Sequence, residues 1–153
     1  PTNFYEMGLQ NSRGFRALKV WLGLRHAGRA GYERMISDDI RLAKRLFEKV
    51  RTYPELEACT QGLSITTFRY VPTDLAKGSP ETEEYLNKLN TKLLEQLQNG
   101  GEAFCSNTVV HGKFVLRVCI VNFRTSVEDV EALPNIVVLL GRKIHKSLRD
   151  QPT

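Results

Sequence analysis

Ala103-Phe104-Cys105-Ser106-Asn107-Thr108-Val109-Val110, then His111-Gly112, then Lys113-Phe114-Val115-Leu116-Arg117-Val118-Cys119-Ile120-Val121, is the stretch that decides the fold. Two β-rich runs, Ala103 to Val110 and Phe114 to Val121, flank a short turn containing glycine, which predicts an antiparallel hairpin. In the second run Phe114, Leu116, Val118 and Ile120 point one way and Val115, Arg117, Cys119 and Val121 the other. A hairpin between two helical stretches lacks the strand–helix alternation of a parallel sheet.

Working outward, Ser126-Val127-Glu128-Asp129 has the spacing of a capping box, with Asp in place of the longer Glu or Gln. The helix it opens carries Leu133, Ile136, Leu140, Ile144 and Leu148 in register, and Pro134 should kink or restart it. Upstream of the hairpin, Ser79-Pro80 supplies an N-cap and a first-turn proline for a helix with Leu86, Leu89, Leu93 and Leu97 on one face. Asn99-Gly100-Gly101 ends that helix. Thr73 to Ser79 reads as a loop, and Leu56–Cys59 and Leu63–Val71 as strands.

Further upstream a helix over Tyr32–Thr52 buries Ile36, Ile40, Ala43, Phe47 and Val50, and Tyr53-Pro54 stops it. An earlier helix, Phe15–His26, shows Phe15, Leu18 and Leu22 on one face, widened by Ala17, Trp21 and Leu24. Its aromatics are expected in a core, and Gly28 and Gly31 separate it from the next helix. Pro1 to Gln10 reads as an arm whose Phe4, Tyr5, Met7 and Leu9 need a partner surface. The expected architecture is α+β: a small antiparallel sheet of three or four strands with helices packed on one face. Residues 1–14 form an arm and loop, and 15–153 the domain.

With 153 residues, 41% hydrophobic and 25% charged, the chain has the composition of one globular domain. No apolar run has the length of a membrane span and no signal peptide is recognised, so no membrane partner and a cytoplasmic location are expected. The net charge of +5 is spread over helices and mixed with acids, which reads as a solvated surface without a nucleic-acid partner. Cys59, Cys105 and Cys119 read as reduced thiols, and His26, His111 and His145 show no ligand spacing, so no metal is expected.

Arg117 interrupts an apolar strand. It either holds a carboxylate of a substrate or cofactor, or it makes an internal salt bridge, or it lies on a wet sheet face. Asn11 and Ser12 either line a pocket and donate to a phosphate or cap the helix that follows. His111 reads as a surface turn residue, and Lys19 and Lys113 as solvated lysines without an imine-forming signature.

Three blocks carry a family resemblance: Ser12-Arg13-Gly14-Phe15-Arg16-Ala17-Leu18-Lys19-Val20-Trp21, Gly28-Arg29-Ala30-Gly31-Tyr32, and Lys113 through Asn122-Phe123-Arg124-Thr125. Together they resemble the C-terminal part of the pyridoxal-phosphate-dependent amino-acid decarboxylases, the aromatic-amino-acid, histidine and glutamate decarboxylase family. The resemblance implies the C-terminal small domain of a fold-type I enzyme that releases carbon dioxide from an L-amino acid, with pyridoxal phosphate as electron sink. It implies a large domain that holds most of the cofactor, a homodimer partner and a small-molecule amino-acid substrate. The family's His-Lys-Trp motif is absent from this sequence, so the isolated chain is expected to be inactive, with no catalytic residue of its own. Asn11, Ser12 and Arg117 are the positions the resemblance places against substrate or cofactor. Arg13-Gly14 departs from the family's Arg-Arg before the phenylalanine and loosens the helix start. The alternative is a non-enzymatic interaction or dimerisation module with a basic surface; a basic nucleic-acid binder is a third, weaker reading.

Overall fold

The structure, a computed structural model, describes residue 7, residues 14–76 and residues 78–150. Seven elements follow in order: α1 (Ala17–Val50), β1 (Leu56–Gly62), β2 (Ile65–Tyr70), α2 (Pro80–Gly100), β3 (Ser106–Val110), β4 (Lys113–Cys119) and α3 (Val127–Arg149). The chain divides into two compact units, Pro1–Arg34 and Met35–Thr153, so the division falls inside α1.

The break expected from the glycine pattern is present within α1, where two helical stretches meet at a kink at Gly28 (φ 63°, ψ 175°). Gly28 accepts this positive φ because it lacks a Cβ, whereas Gly31 stays helical. The expectation that the aromatics of the first helix sit in a core fails. Phe15 is 72% exposed and Trp21 56% exposed, and Leu22 and Leu24 are also exposed. The described part of this unit is helix with its lead-in, and a helical stretch by itself has nothing to close over its apolar face.

The second unit holds a four-stranded sheet in the order β1-β2-β4-β3, antiparallel throughout. His111 (φ 49°) and Gly112 (φ 77°) make the two-residue turn between β3 and β4, both at positive φ as the strand twist demands. The β1–β2 register shifts between Ala58 and Thr60, leaving Cys59 as the extra residue of a bulge. Phe68 and Tyr70 of β2 and Leu116 of β4 share one core with Leu42, Leu46 and Val50 of α1, Leu86, Leu89, Leu93 and Leu97 of α2, and Val130, Val137 and Ile144 of α3. Each such side chain contributes about 1.5–3 kcal/mol on burial, so this face carries most of the stabilisation. The helices therefore cover one face of the sheet, as the α+β reading expects.

The helix ends follow their sequence signals. Ser79 Oγ accepts from the Thr82 N–H at 3.2 Å, and Gly101 closes α2 at φ 74°. At α3, Ser126 Oγ accepts from the Asp129 N–H at 3.2 Å while Asp129 Oδ2 accepts from the Ser126 N–H at 2.9 Å, so the shorter Asp does complete the box. Pro134 does not restart α3, which runs as one element through it. Proline removes one helical hydrogen bond, and the burial of Pro134 with its neighbours Leu133, Val137 and Val138 outweighs that loss.

The sheet forks at one end. Pairing between β2 and β4 stops at Phe68 and Leu116, and the backbone groups beyond turn to two asparagines of α2. Asn90 Oδ1 accepts from the Tyr70 N–H at 2.8 Å, and its Nδ2 donates to the Tyr70 and Leu86 carbonyls, both at 2.9 Å. Asn87 Oδ1 accepts from the Phe114 N–H at 2.7 Å and Nδ2 donates to the Gly112 carbonyl at 3.3 Å. Asn90 is fully buried, and its amide replaces the missing strand partner on both sides.

Candidate functional site

The face of the sheet opposite the shared core is set by the same alternation. It carries Glu57 of β1, Thr67 and Arg69 of β2, Lys113, Val115 and Arg117 of β4, and Ser106 of β3, as the strand register requires. Thr67 stands beside Arg117, which stands beside Ser106.

The most buried cation on this face is Arg69, 2% exposed, and not Arg117. Arg69 Nε donates to Glu57 Oε2 at 2.8 Å, and Nη1 and Nη2 donate to the two Glu83 oxygens at 2.6 and 3.1 Å. Lys113 Nζ donates to the other Glu57 oxygen at 2.7 Å. Lys113, Glu57, Arg69 and Glu83 thus form a line of alternating charge across the fork, the arrangement that lets a buried guanidinium be tolerated. Lys113 Nζ is thus occupied in an ion pair with Glu57.

Burial pushes the Glu57 carboxyl up, but hydrogen bonds from Lys113 and Arg69 and their charges outweigh it and hold it below the usual glutamate range. The Arg69 hydrogen bond holds Glu83 low, and the Arg142 hydrogen bond does the same for Glu55. Carboxyls depressed in the folded chain stabilise it at neutral pH, and that contribution disappears as pH falls through and below the ordinary glutamate range. The melting temperature is therefore expected to drop steeply below about pH 4.5, the ordinary value for glutamate. Thermal melts from pH 7 to pH 3 should show a shallower drop for Glu83→Gln, and equal slopes would contradict the assignment.

Arg117 lies at the middle of β4, half-buried. Among the described residues it makes no ion pair, and Ser106 Oγ donates to its backbone carbonyl at 3.3 Å. Of the three readings open for it, the internal salt bridge belongs to Arg69 instead. Asn11 and Ser12 lie outside the described residues. His111 is exposed in its turn. Cys119 is exposed, Cys59 half-buried and Cys105 buried, with burial pushing the Cys105 thiol up to about 11 and making it unreactive. Sequence reasoning passed over Arg69, although Thr66-Thr67-Phe68-Arg69-Tyr70 interrupts an apolar strand much as Arg117 does. The usable signal was the pair of acids, Glu57 and Glu83, flanking that strand on both sides in sequence.

Two cavities lined by described residues are large enough to matter for ligand binding. One, of about 400 Å³, lies between the end of β4 and the first half of α3 and is walled by Leu46, Val118, Ile120, Val130, Leu133 and Ile136. The other, of about 240 Å³, is lined by Asp38, Asp39, Arg41, Thr125 and Ser126 among others. Neither wall contains a lysine, and the larger contains no cation at all. A pyridoxal phosphate needs a lysine at its aldehyde and donors at its phosphate. Neither of these two cavities therefore fits that cofactor by itself. No group of three or more His, Cys, Asp or Glu among the described residues is placed to hold a metal ion, and no helix among them is long and apolar enough to cross a membrane.

Comparison with known proteins adds an independent finding. Residues 47–149 match the PDXDC1-like second central domain, and residues 2–71 match the pyridoxal-dependent decarboxylase conserved domain. The chain is 36% identical to an aromatic-L-amino-acid decarboxylase of Bacillus atrophaeus over 84% of its own length and 26% of that protein's. It is 34% identical to tyrosine decarboxylase 2 of Arabidopsis thaliana over 77% of its length and 21% of that protein's. Among solved structures, that of Oryza sativa TDC with PLP and tryptamine superposes with a TM-score of 0.73 at 26% identity, covering 94% of this chain and 30% of that one. Mouse CSAD shares the fold, with a TM-score of 0.79 at 23% identity over 91% of this chain and 30% of that one. The chain spans between a fifth and about a quarter of the length of these curated relatives.

Proposed function

From the premise that this chain belongs to the pyridoxal-dependent decarboxylase family, we propose that it is the small C-terminal domain of an enzyme that decarboxylates an L-amino acid. The observation that carries this reading is the mismatch between family and cavities. The family uses pyridoxal phosphate, and solved neighbours contain it. Yet neither described cavity of this chain presents a lysine, and the chain covers a quarter of the relatives' length. The cofactor's lysine and phosphate site then belong to a large domain elsewhere in the polypeptide.

On this reading the chain's task is to bind and orient. The sheet face bearing Arg117, left uncovered by the shared core, docks on the large domain, and the charge line through Arg69 keeps that face rigid. Arg117, the cation on that face with no ion-pair partner among the described residues, is the residue proposed to meet a carboxylate of substrate or cofactor, with Asn11 and Ser12 contributing from the preceding loop. The relatives' names favour aromatic amino acids as the substrate class. A homodimer is proposed because the exposed Phe15, Trp21, Leu22 and Leu24 need more covering surface than the chain supplies. A cytoplasmic location is proposed, supported by the free thiols of Cys59, Cys105 and Cys119.

The isolated chain, mixed with pyridoxal phosphate and reduced with borohydride, is expected to yield only substoichiometric labelling scattered over surface lysines, and no carbon dioxide from added L-amino acids. A stoichiometric adduct at a single lysine, located by peptide mass mapping, would overturn the proposal.

A further inference from the structure

The larger cavity has walls of uneven chemistry. Its floor is apolar: Leu46 of α1, Val118 at the end of β4, Ile120 just past it, and Val130 and Leu133 of α3. All of these are buried except Val118, which is half-buried. Its rim carries Glu102 and Phe104, from the segment between α2 and β3, and Asp129 in the first turn of α3. That segment is anchored at Cys105, which is buried and whose carbonyl accepts from Gln98 Nε2 at 2.8 Å. Phe104 beside it is 83% exposed. We propose that this cavity binds an arylalkylamine, the amine that remains when an aromatic amino acid loses its carboxyl group, and rejects the parent amino acid.

Volume and charge select this class. A cavity of about 400 Å³ lies within the range of small-molecule sites, which are mostly apolar with a few placed polar groups. Its two charged lining residues are both carboxylates, and no lysine, arginine or histidine lines it. Glu102 is exposed and enters no ion pair among the described residues. Asp129 uses Oδ2 in the capping box, which leaves Oδ1 for a ligand. The Ser126 backbone N–H, first among several causes, holds the Asp129 carboxyl below its usual range, so it is an anion at neutral pH. The arginines flanking lining residues in sequence are engaged elsewhere: Arg45 with Glu131, and Arg124 over the Phe123 ring. Such a rim attracts an ammonium group and repels a carboxylate. The apolar floor takes a hydrocarbon body, and Phe104, exposed at the mouth, supplies an aromatic surface for a ring or an ammonium. A free amino acid brings its own carboxylate to the same two acids. Loss of carbon dioxide, with a proton taken up at the same carbon, removes that carboxylate and leaves the amine. The cavity thus separates product from substrate by the one group the reaction removes. Naming the ligand as a product rests on the proposed function, whereas the preference for amine over acid rests on the cavity walls alone.

The test is an NMR titration of the full chain at neutral pH with phenethylamine, L-phenylalanine and hydrocinnamate, following backbone amides. Phenethylamine should shift the Phe104, Ile120, Val130 and Ile136 amides saturably, with a Kd of about 1 mM. L-Phenylalanine should bind about fivefold more weakly, and hydrocinnamate about tenfold more weakly or not at all. Glu102→Gln should weaken phenethylamine about threefold and strengthen hydrocinnamate, a crossed response that a merely structural role would not give. Ala132→Phe, at an exposed position of α3 on the cavity wall, should abolish phenethylamine binding while the amides of β1 and β2 keep their positions, which reports an intact fold. Equal affinity for the three probes, the absence of a saturable shift, shifts confined to amides elsewhere, or a phenethylamine titration that Glu102→Gln leaves unchanged would overturn the site. None of these outcomes touches the proposed function, whose own test is the borohydride labelling.

Discussion

Gly141→Ala is expected to destabilise the chain by about 3 kcal/mol or more, enough to leave a small domain largely unfolded at modest denaturant. A Cβ on Gly141 would sit 2.6 Å from Tyr70 Cγ and 2.7 Å from both Cδ atoms, well inside van der Waals contact with the middle of the ring. Tyr70 cannot step aside. It is 1% exposed, its backbone N–H and C=O are both bound by Asn90, and its hydroxyl donates to Glu55 Oε1 at 3.1 Å. Nor can α3 lift away without opening the contacts that Val137, Val138 and Ile144 make in the same core. Urea unfolding of Gly141→Ala should show the midpoint collapsing. The paired variant Gly141→Ala with Tyr70→Leu should lose less than the sum of the two single changes, because the smaller side chain leaves room for the methyl. A Gly141→Ala protein within about 0.5 kcal/mol of wild type would show that the helix and ring do not meet as described.

Asn90→Leu, a change of similar volume, should cost about 3–4 kcal/mol for a different reason. Asn90 is fully buried and satisfies the N–H and C=O of Tyr70 together, in the fork where β2 has no β4 partner. Leucine fills the space but bonds neither group, and each unpaired buried backbone group costs about 1–3 kcal/mol. Asn90→Asp keeps an acceptor for the Tyr70 N–H, loses the donor to the carbonyls and buries a charge, so it should be no better. Denaturation of both variants beside Asn87→Ala, whose site is only half-buried, separates the effects: Asn87→Ala should cost about 1 kcal/mol. Equal losses at positions 87 and 90 would contradict the buried-bridge role of Asn90.

Much of the architecture was legible because its signals are local. The His111-Gly112 turn, the Ser79 and Ser126 caps, the Gly101 stop and the leucine stripe of α2 each depend on residues within a few positions of one another. The alternation in β4 correctly divided Phe114, Leu116 and Val118 from Val115, Arg117 and Cys119. The site was less legible. Arg69 and Arg117 lie in neighbouring strands on the same sheet face, and nothing within five residues separates them as to which is buried. The distinction comes from Glu57 and Glu83, 12 and 14 residues away, which converge on Arg69 once β1 pairs with β2 and α2 enters the fork. The apolar stripe of Phe15, Leu18 and Leu22 was legible as a stripe, but nothing among the described residues covers it.

By itself, then, the amino-acid order determined the order and type of the elements, the caps of α2 and α3, the side of β4 that turns inward and the family to which the blocks belong. These follow from backbone geometry and side-chain periodicity acting over one or two turns. The tertiary structure alone decided which arginine is buried, that two asparagines bridge the splayed strands, that Gly141 is the point where a helix rests on a tyrosine ring, and that His145 joins three elements. Those outcomes depend on groups far apart in the chain reaching hydrogen-bonding or contact distance, and that happens only after the core has closed.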